Sequence, residues 1–488
     1  MKHKFNTHDL YVMPLPPSIE EPGKQSWLRM LYRYRLQFQA MTSASTIFFA
    51  GGLKLAWCIF EKPVSGSQTL IDTHLLTIAW FVGVAAGAIM AGAFVHRVNK
   101  NISHGTSGTL LLLGGLLFAC APTSFACILC SCLLEGSAYG INQVQGLVTA
   151  GEVAHKDIRG LLVSSERVFL WLGICLQLFC TRLWFLYEPT KGYPLHLNQL
   201  HGTVVILVAL CALACNTLYR FESPLLLHMQ ERDLAATCVM NRLQSTSYTS
   251  AELTQKHEDC KQMLEHDARP MARKAVRKSN SLPLLKMLLL RCYGTISLSL
   301  PVNRTFVTAS MTGLNCATNC VYLLSLCGVL GSVMGALCVD ICGRRRIAVI
   351  CLLFSGTCAF LLAGVLRYIY EQISLVLLTH LTFELVVYLM WCYQAFICAG
   401  VSLISSVYMS EAFTVSAKAC CLALVVVCEQ FVQIALALLV FYTDFNEPHF
   451  FFIVGVLGML LGILALFTLP ETMKISLYEC LLKFNNVP

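Results

Sequence analysis

Charged residues are scarce in this chain. Only 13% of its 488 residues are Asp, Glu, Lys or Arg, whereas a soluble globular chain carries roughly 25%. More than half of the residues, 56%, are hydrophobic, and the mean hydropathy is +0.66. This composition excludes a surface that mostly faces water. Apolar runs near 20 residues can span a bilayer as helices, which satisfy their own backbone in lipid. We therefore predict an all-α membrane protein.

Sites for enzyme chemistry are also missing from the sequence. It contains no Gly-x4-Gly-Lys-Ser/Thr loop for nucleotide phosphates, and no nucleophile–base pair or metal cluster beside a loop. The 25 cysteines lie largely inside apolar runs, where Cys acts as a small hydrophobe. We expect no enzyme activity, no cofactor, no bound metal and no nucleic-acid partner.

Twelve apolar runs are predicted to cross the membrane, and the tenth is long enough to contain a break. Basic residues concentrate in 96–106, 220–286 and 340–346, whereas 61–73 and 182–200 hold few. By the positive-inside rule, both termini are expected in the cytoplasm. The predicted runs are 38–60, 74–95, 107–123, 124–149, 161–181, 201–219, 287–308, 318–339, 347–367, 377–409, 417–441 and 449–469.

The chain is expected to divide into five parts around these runs. Two six-helix halves flank a long polar segment, which is interpreted either as a flexible linker or as a set of surface helices. Asn303 opens an Asn-Arg-Thr glycosylation sequon at the predicted outer end of the seventh run, and Lys54 is interpreted as snorkelling to the outer surface. The parts are a cytoplasmic N-terminal segment 1–37, an N-terminal half 38–219, a cytoplasmic linker 220–286, a C-terminal half 287–469 and a cytoplasmic tail 470–488.

Three charged signals recur about 250 residues apart, in the same order. Such a long repeat among apolar runs indicates two similar membrane halves, and two halves that rock about a central site are the basis of alternating-access transport. The paired segments are Val95–Asn101 with Val339–Arg346, Gly151–Gly160 with Ser410–Ala419, and Phe221–Pro224 with Leu469–Thr472.

The motifs in these segments resemble those of the sugar porter family within the major facilitator superfamily. They are Gly151-Glu152…Arg159-Gly160, Glu222-Ser223-Pro224, Asp340…Gly343-Arg344-Arg345, Tyr408-Met409-Ser410-Glu411 and Pro470-Glu471-Thr472. The resemblance extends from the first run to Glu479. It implies twelve helices in two six-helix halves and a multi-pass protein of the plasma membrane.

The resemblance also implies a cytoplasmic lock between the halves, made by charged groups at the membrane edge. The alternative is that these groups only anchor the topology. The motifs are eroded in this chain: His96 in the first half stands where the family has an acid, and Lys418 in the second half replaces an arginine. We expect a weaker lock in the first half. The lock residues are Glu152, Arg159, Glu222, Asp340, Arg344, Arg345, Glu411, Lys418 and Glu471.

Two charged residues fall at positions that contact sugar in the family. Counting from Arg159 places Arg167 at a substrate position of the fifth run, and counting from Lys418 places Glu429 in the eleventh. An ionised group within a span usually faces a cavity or a partner. One hypothesis is a charged pocket for a zwitterion or organic ion, or proton coupling through Glu429. The other is structural pairing of Arg167 with Glu166 and of Glu429 with its surroundings.

Trp391 and Gln394 lie one turn apart in the tenth run, where they could stack on and hydrogen-bond a sugar or simply pack in the core. The leading function is secondary transport of a small organic solute, a sugar before others, by alternating access across the bilayer. The alternatives are an organic ion transporter of the same superfamily and a non-transporting membrane sensor.

Overall fold

Helices dominate the fold. The computed structural model describes residues 32–60, 70–95, 97–191, 196–244, 250–268, 272–314, 317–371 and 376–486, and no strand occurs among them. The helices of the first half are α1 Arg35–Phe60, α2 Leu70–Phe94, α3 Lys100–Cys120, α4 Phe125–Val153, α5 Arg159–Lys191 and α6 Leu197–Leu218. The connecting helices are α7 Pro224–Met229, α8 Asp233–Gln244 and α9 Ser250–Ala268. The second half contains α10 Ala272–Ile296, α11 Leu300–Leu314, α12 Ala317–Cys338, α13 Arg344–Glu371, α14 Val376–Phe396, α15 Ser402–Glu411, α16 Val415–Tyr442 and α17 Glu447–Thr468, and α18 Leu477–Asn486 follows it.

The helices include enough apolar segments for a multi-pass membrane protein. Within the described ranges, eleven segments are long and apolar enough to cross a membrane; α10 with α11, and α14 with α15, each count as one of them. Helix α1 is not among the eleven, but it packs along α5 and α6 as a further member of the bundle. The prediction of an all-α membrane protein is confirmed.

The two halves pack in corresponding ways. In the first half α3 lies along α6, and in the second half the corresponding helices α13 and α17 lie together. Between the halves, α2 contacts α16 and α5 contacts α12. In the repeat, α2 corresponds to α12 and α5 corresponds to α16. The contact of α2 with α16 is therefore the counterpart of the contact of α12 with α5. The repeat seen in the charged motifs is therefore also a repeat of the packing.

Two spans of the second half are interrupted. The seventh, expected as one helix over 287–308, is two helices, because α10 ends at Ile296 and α11 begins at Leu300. The hydroxyls of Ser297 and Ser299 donate to carbonyls three residues earlier, at 3.0 and 2.6 Å, and such bonds compete with the helical ladder. The tenth span contains the expected break as a π-helix over Ile397–Val401. Interrupted helices often border the binding site of a transporter.

The segment between the halves contains helices, so of the two interpretations the surface helices are what the structure shows. Ser223 caps α7 by accepting a hydrogen bond from the backbone of Leu226 at 3.3 Å. Helices α7, α9 and α18 lie at the end of the bundle where α4 ends and α5 begins. We call this end, which carries Arg159, Asp340 and Glu411, the charged face.

Two sequence-based interpretations fail on burial. Lys54 does not snorkel: its side chain is 1% exposed and its Nζ lies 3.6 Å from Oε2 of Glu135, so a buried carboxylate holds it inside the bundle. Asn303 is 2% exposed within α11, and its Nδ2 donates to the carbonyl of Ser299 at 3.0 Å. A glycosylated asparagine must be reached from outside, so the structure argues against modification at Asn303.

Candidate functional site

Four ionised side chains meet deep in the bundle, where the two halves touch. Glu166 and Arg167 come from α5, Arg291 from α10 and Glu429 from α16, and each is at most 5% exposed. Arg291 lies between the two carboxylates, with Nη2 2.6 Å from Oε1 of Glu166 and Nε 2.8 Å from Oε2 of Glu429. One guanidinium therefore joins an acid of the first half to an acid of the second. We call these four residues the central cluster.

Further contacts, most of them longer, complete the central cluster. Nη2 of Arg167 lies 3.3 Å from Oε1 of Glu429, and Nε of Arg167 lies 3.8 Å from Oε1 of Glu166. Nε2 of Gln143 lies 3.2 and 3.3 Å from the two carboxylates, while Nη1 of Arg291 donates to the Ser406 hydroxyl at 2.7 Å. Two positive and two negative charges cancel, which a group of buried ions needs in order to offset its desolvation.

The structure thus brings together Arg167 and Glu429, as the motif spacing indicated, and adds Glu166 to the same contact. The structural pairing is present, since Arg167 contacts its neighbour Glu166 as well as Glu429, and the charged pocket and proton coupling stay predictions. Arg291 was missed. Its signal in the sequence was an arginine within an apolar run, which by itself marks a cavity or a partner.

A small cavity adjoins the central cluster. Its volume is about 20 Å³, which is room for one or two water molecules. Aromatic side chains of α2 and α4 face it from the first half, and amide and hydroxyl groups face it from the second. The lining residues are Leu55, Trp80, Phe81, Tyr139, Arg167, Leu170, Thr295, Leu298, Glu429, Gln430 and Gln433.

Trp391 and Gln394 are not in this lining. Nε2 of Gln394 lies 3.4 Å from the hydroxyl of Ser297 and 3.0 Å from the sulfur of Cys398. The half-buried ring of Trp391 packs against that of Tyr388, with 5.5 Å between the centroids. The geometry favours core packing over substrate contact for both residues.

A second ionic contact joins the halves at the charged face. Nη1 of Arg159, from the first half, lies 3.0 Å from Oε1 of Glu411 in the second half. The same oxygen accepts a hydrogen bond from Nη1 of Arg344, which also donates to the Thr472 hydroxyl at 2.9 Å. The Glu411 side chain is fully buried. A single carboxylate therefore holds one arginine from each half, and we call this arrangement the Glu411 lock.

Asp340 strengthens the contact at the charged face by capping a helix of the opposite half. Its carboxylate accepts hydrogen bonds from the backbone N–H groups of Gly160 and Leu161, at 3.2 and 2.8 Å. The first N–H groups of a helix have no acceptor within that helix. Burial raises the pKa of Asp340, and the nearby Arg344 opposes this rise. The cap exists only while the two halves are in contact here.

Unlike Asp340 and Glu411, Glu222 and Glu471 each bind groups of their own half. Glu471 accepts from the backbone N–H groups of Arg344 and Arg345, at 3.0 and 3.1 Å, at the start of α13. Glu222 accepts from the backbone of Lys100 at 3.1 Å, at the start of the corresponding helix α3. A carboxylate at a helix N-terminus is favourable in each case. The two residues support the repeat and do not cross between the halves.

The remaining members of the predicted lock lie beside it. The Glu152 carboxylate accepts a hydrogen bond from the Ser223 hydroxyl. The Lys418 side chain is 2% exposed, and its Nζ comes within 3.3 Å of the position that a Cβ on Gly151 would occupy. Lys418 is therefore a buried cation with no ion pair within 4 Å among the described residues.

Two six-helix halves, a charged site between them and an ionic contact at one end define a membrane protein of the major facilitator type. The chain matches the model of the family "Sugar (and other) transporter" over residues 45–484. It therefore belongs to that family.

Curated relatives match over part of their length. The solute carrier family 2 facilitated glucose transporter member 5 of Oryctolagus cuniculus is 29% identical over 143 residues, which is 27% of this chain and 29% of the relative. The galactose-proton symporter of Escherichia coli (strain K12) is 24% identical over 201 residues, or 40% of this chain and 41% of the relative. In both cases the matched part is less than half the length of the relative.

Solved structures match over almost the whole chain. The proton:xylose symporter XylE bound to 6-bromo-6-deoxy-D-glucose superposes with a TM-score of 0.74 at 16% identity, covering 92% of this chain and 98% of the other. The inward open conformation of the xylose transporter XylE from E. coli gives a TM-score of 0.57 at 18% identity, covering 93% and 98%. At these identities the likeness establishes the shared fold.

Proposed function

We propose that this protein is a secondary transporter that moves a small polar solute, a sugar before others, by alternating access. The observation that carries the proposal is the way in which the central cluster divides between the halves. Glu166 and Arg167 belong to one half, and Arg291 and Glu429 belong to the other. Each half therefore contributes one carboxylate and one guanidinium to the central cluster.

This division permits the halves to separate without leaving a bare charge. If the halves separate, Glu166 and Arg167 stay together in one half, and Arg291 and Glu429 stay together in the other. In this structure these two pairs lie 3.8 and 2.8 Å apart. Breaking a buried ion pair by removing one partner costs about 3–5 kcal/mol, because the other charge is left uncompensated. A cluster that splits into two neutral pairs avoids most of this cost. Such a cluster suits a site that must open and close repeatedly.

Membership of the sugar transporter family and the chemistry around the cavity support a sugar. Aromatic rings can stack on the apolar face of a sugar ring, while amides and charged groups bond its hydroxyls. Trp80, Phe81 and Tyr139 supply rings on one side, and Gln430 and Gln433 supply amides on the other. The cavity must widen to admit a sugar, which requires the halves to move.

An ionic substrate finds less support. The four charges of the central cluster already satisfy one another, so an organic ion would have to displace one of them. We infer that the protein is a carrier rather than a non-transporting sensor, because both ionic contacts between the halves can separate. Organic ions and absence of transport are outcomes of the test below.

We also propose the orientation and the domain plan. The charged face is cytoplasmic, because α7 and α9 of the basic segment 220–286 and the basic residues 340–346 lie at it. Both termini then lie in the cytoplasm of a plasma membrane protein. The halves are 38–219 and 287–469, with 220–286 between them. Ionic contact at the charged face then corresponds to a state that is closed toward the cytoplasm.

The test is uptake by the full-length protein in proteoliposomes. Radiolabelled D-glucose, D-galactose, D-fructose and D-xylose are offered with and without an inward proton gradient, alongside tetraethylammonium and p-aminohippurate as an organic cation and anion. We expect saturable uptake of at least one sugar, reduced at least tenfold by Glu429→Gln. The matched control is Glu371→Gln, which alters an exposed pair with Arg367 and should transport normally.

Other outcomes are equally informative. Uptake of an organic ion without any sugar would replace the sugar proposal with the organic ion alternative. Binding of a sugar without uptake would support a sensor. Stimulation of uptake by the proton gradient, if lost in Glu429→Gln, would assign proton coupling to Glu429.

A further inference from the structure

We propose that Lys54, Glu135 and His201 form a proton-binding site within the first six-helix half, separate from the central cluster. Lys54 lies on α1, Glu135 on α4 and His201 on α6. All three side chains are at most 1% exposed. None of them belongs to the lining of the central cavity or to the Glu411 lock. An ionisable group buried in a membrane span marks a functional site unless a partner fully accounts for it.

The three side chains converge on one carboxylate oxygen without completing their hydrogen bonds. Oε2 of Glu135 lies 3.6 Å from Nζ of Lys54 and 3.6 Å from Nε2 of His201. None of these three atoms has a hydrogen-bond partner in the described part of the chain. The other oxygen, Oε1, accepts from the Ser131 hydroxyl at 3.1 Å. Buried polar atoms are rarely left in this condition.

The tautomer of His201 explains why a proton fits here. Nδ1 of His201 lies 2.9 Å from Oε1 of Gln177, and an amide oxygen only accepts. With the Gln177 amide oriented in this way, Nδ1 carries the hydrogen, and Nε2 of the neutral imidazole presents a lone pair to the Glu135 carboxylate. Two acceptors then face each other. One added proton between Nε2 and Oε2 converts this repulsion into a charge-assisted hydrogen bond.

The charges around the site are compatible with both protonation states. Without it, Lys54 and Glu135 form a neutral pair; with it, the site carries one net positive charge. Lys54 is held by the rings of Trp57 and Phe118, with Nζ 4.1 and 3.7 Å from their centroids, which favours a cation. The thiols of Cys58 on α1 and Cys132 on α4 also face Lys54.

The site lies close to the end of the bundle opposite the charged face. Helix α6 begins at Leu197, so His201 is about 6 Å along the helix axis at 1.5 Å per residue. Nε1 of Trp57 donates to Oδ1 of Asn198 at 3.1 Å, and Nδ2 of Asn198 donates to the carbonyl of Pro122 at 2.8 Å. Two hydrogen bonds through Asn198 therefore lie between the site and this end of the bundle.

Trp57 provides a local optical probe that needs no substrate. Its ring centroid lies 6.0 Å from that of His201, and a protonated imidazole quenches the fluorescence of a neighbouring indole. Full-length protein in detergent is titrated from pH 4 to 10, and the titration of Trp57→Phe is subtracted to isolate Trp57 from the other tryptophans. We expect the isolated Trp57 emission to fall in a single transition as the pH is lowered.

Variants decide whether His201 and Glu135 bind the proton. His201→Gln should abolish the transition, whereas His196→Gln, an exposed histidine at the start of the same helix, should preserve it. Glu135→Gln should lower the midpoint by at least one pH unit, because the imidazolium loses its anionic partner. This shift separates proton binding from a merely structural role.

Three results would overturn the proposal: a flat wild-type difference titration, a transition that persists in His201→Gln, or an unshifted midpoint in Glu135→Gln. If His201→Gln fails to fold, the wild-type difference titration and Glu135→Gln still decide the matter. The titration requires no transport, so its failure and failure of the proposed function are distinguishable.

Discussion

Removing the carboxylate of the Glu411 lock should release the charged face. In Glu411→Gln, Arg159 and Arg344 lose the buried anion that they share. Arg344 and Glu411 belong to the same half and stay together when the halves part, so their contact contributes in every state. The contact of Arg159 with Glu411, 3.0 Å across the boundary, exists only while the charged face is joined. This one contact sets how the equilibrium shifts.

The size of the shift follows from that contact. A coupling term between two states is typically about 1–3 kcal/mol, or roughly 5–150-fold in an equilibrium constant. The full cost of removing a partner from a buried pair, about 3–5 kcal/mol, does not apply, because the part due to Arg344 cancels between the states. We therefore expect the open population to rise by about 5–150-fold.

Amide hydrogen exchange at Gly160 and Leu161 measures this population directly. Their N–H groups have Asp340, in the other half, as acceptor, so they exchange when the charged face opens. Residue-resolved hydrogen–deuterium exchange by mass spectrometry should show both amides exchanging about 5–150-fold faster in Glu411→Gln. The control Glu371→Gln removes an exposed carboxylate and should leave them unchanged. Equal exchange in wild type and Glu411→Gln would refute the reasoning.

Four further predictions concern single positions. Arg291→Gln leaves two carboxylates buried without their shared cation, which costs about 3–5 kcal/mol; the thermal midpoint of the purified protein should fall, and an unchanged midpoint would contradict the cluster. Gly343 has φ +92°, so Gly343→Ala should lower the same midpoint through a strain of about 1–3 kcal/mol. Endoglycosidase treatment should leave the migration of the expressed protein unchanged, since Asn303 is buried; a shift that Asn303→Gln removes would show otherwise. Burial lowers the pKa of Lys256 to about 8, so the rate at which acetic anhydride acetylates it, read by peptide mass spectrometry, should rise with pH through a midpoint near 8.

Motif spacing predicted those parts of the site that depend on local order along the chain. The repeated charged motifs predicted that Arg159, Asp340 and Glu411 take part in a contact between the halves. In the structure all three join the halves. Counting from the motifs also marked Arg167 and Glu429, which do touch. Spacing works here because each motif begins or ends a helix, and a helix fixes the direction of side chains a few turns away.

Contacts between distant helices were not available from spacing. Arg291 belongs to none of the repeated motifs, so their spacing gave no position for it. Lys54 was predicted to snorkel to the outer surface. Its partner Glu135 lies on α4, and only the packing of α1 against α4 brings them together. The meeting of the four charges of the central cluster between the halves is likewise a property of the packing.

The two ionic contacts between the halves differ in one respect that assigns them different roles. The central cluster separates into Glu166 with Arg167 and Arg291 with Glu429, so each half remains neutral. The Glu411 lock does not separate evenly, because Glu411 stays with Arg344 and Arg159 is left without its carboxylate. Opening therefore costs more at the charged face than at the centre. We infer that the lock sets the resting state, whereas the central cluster is free to exchange its internal bonds for those of a substrate.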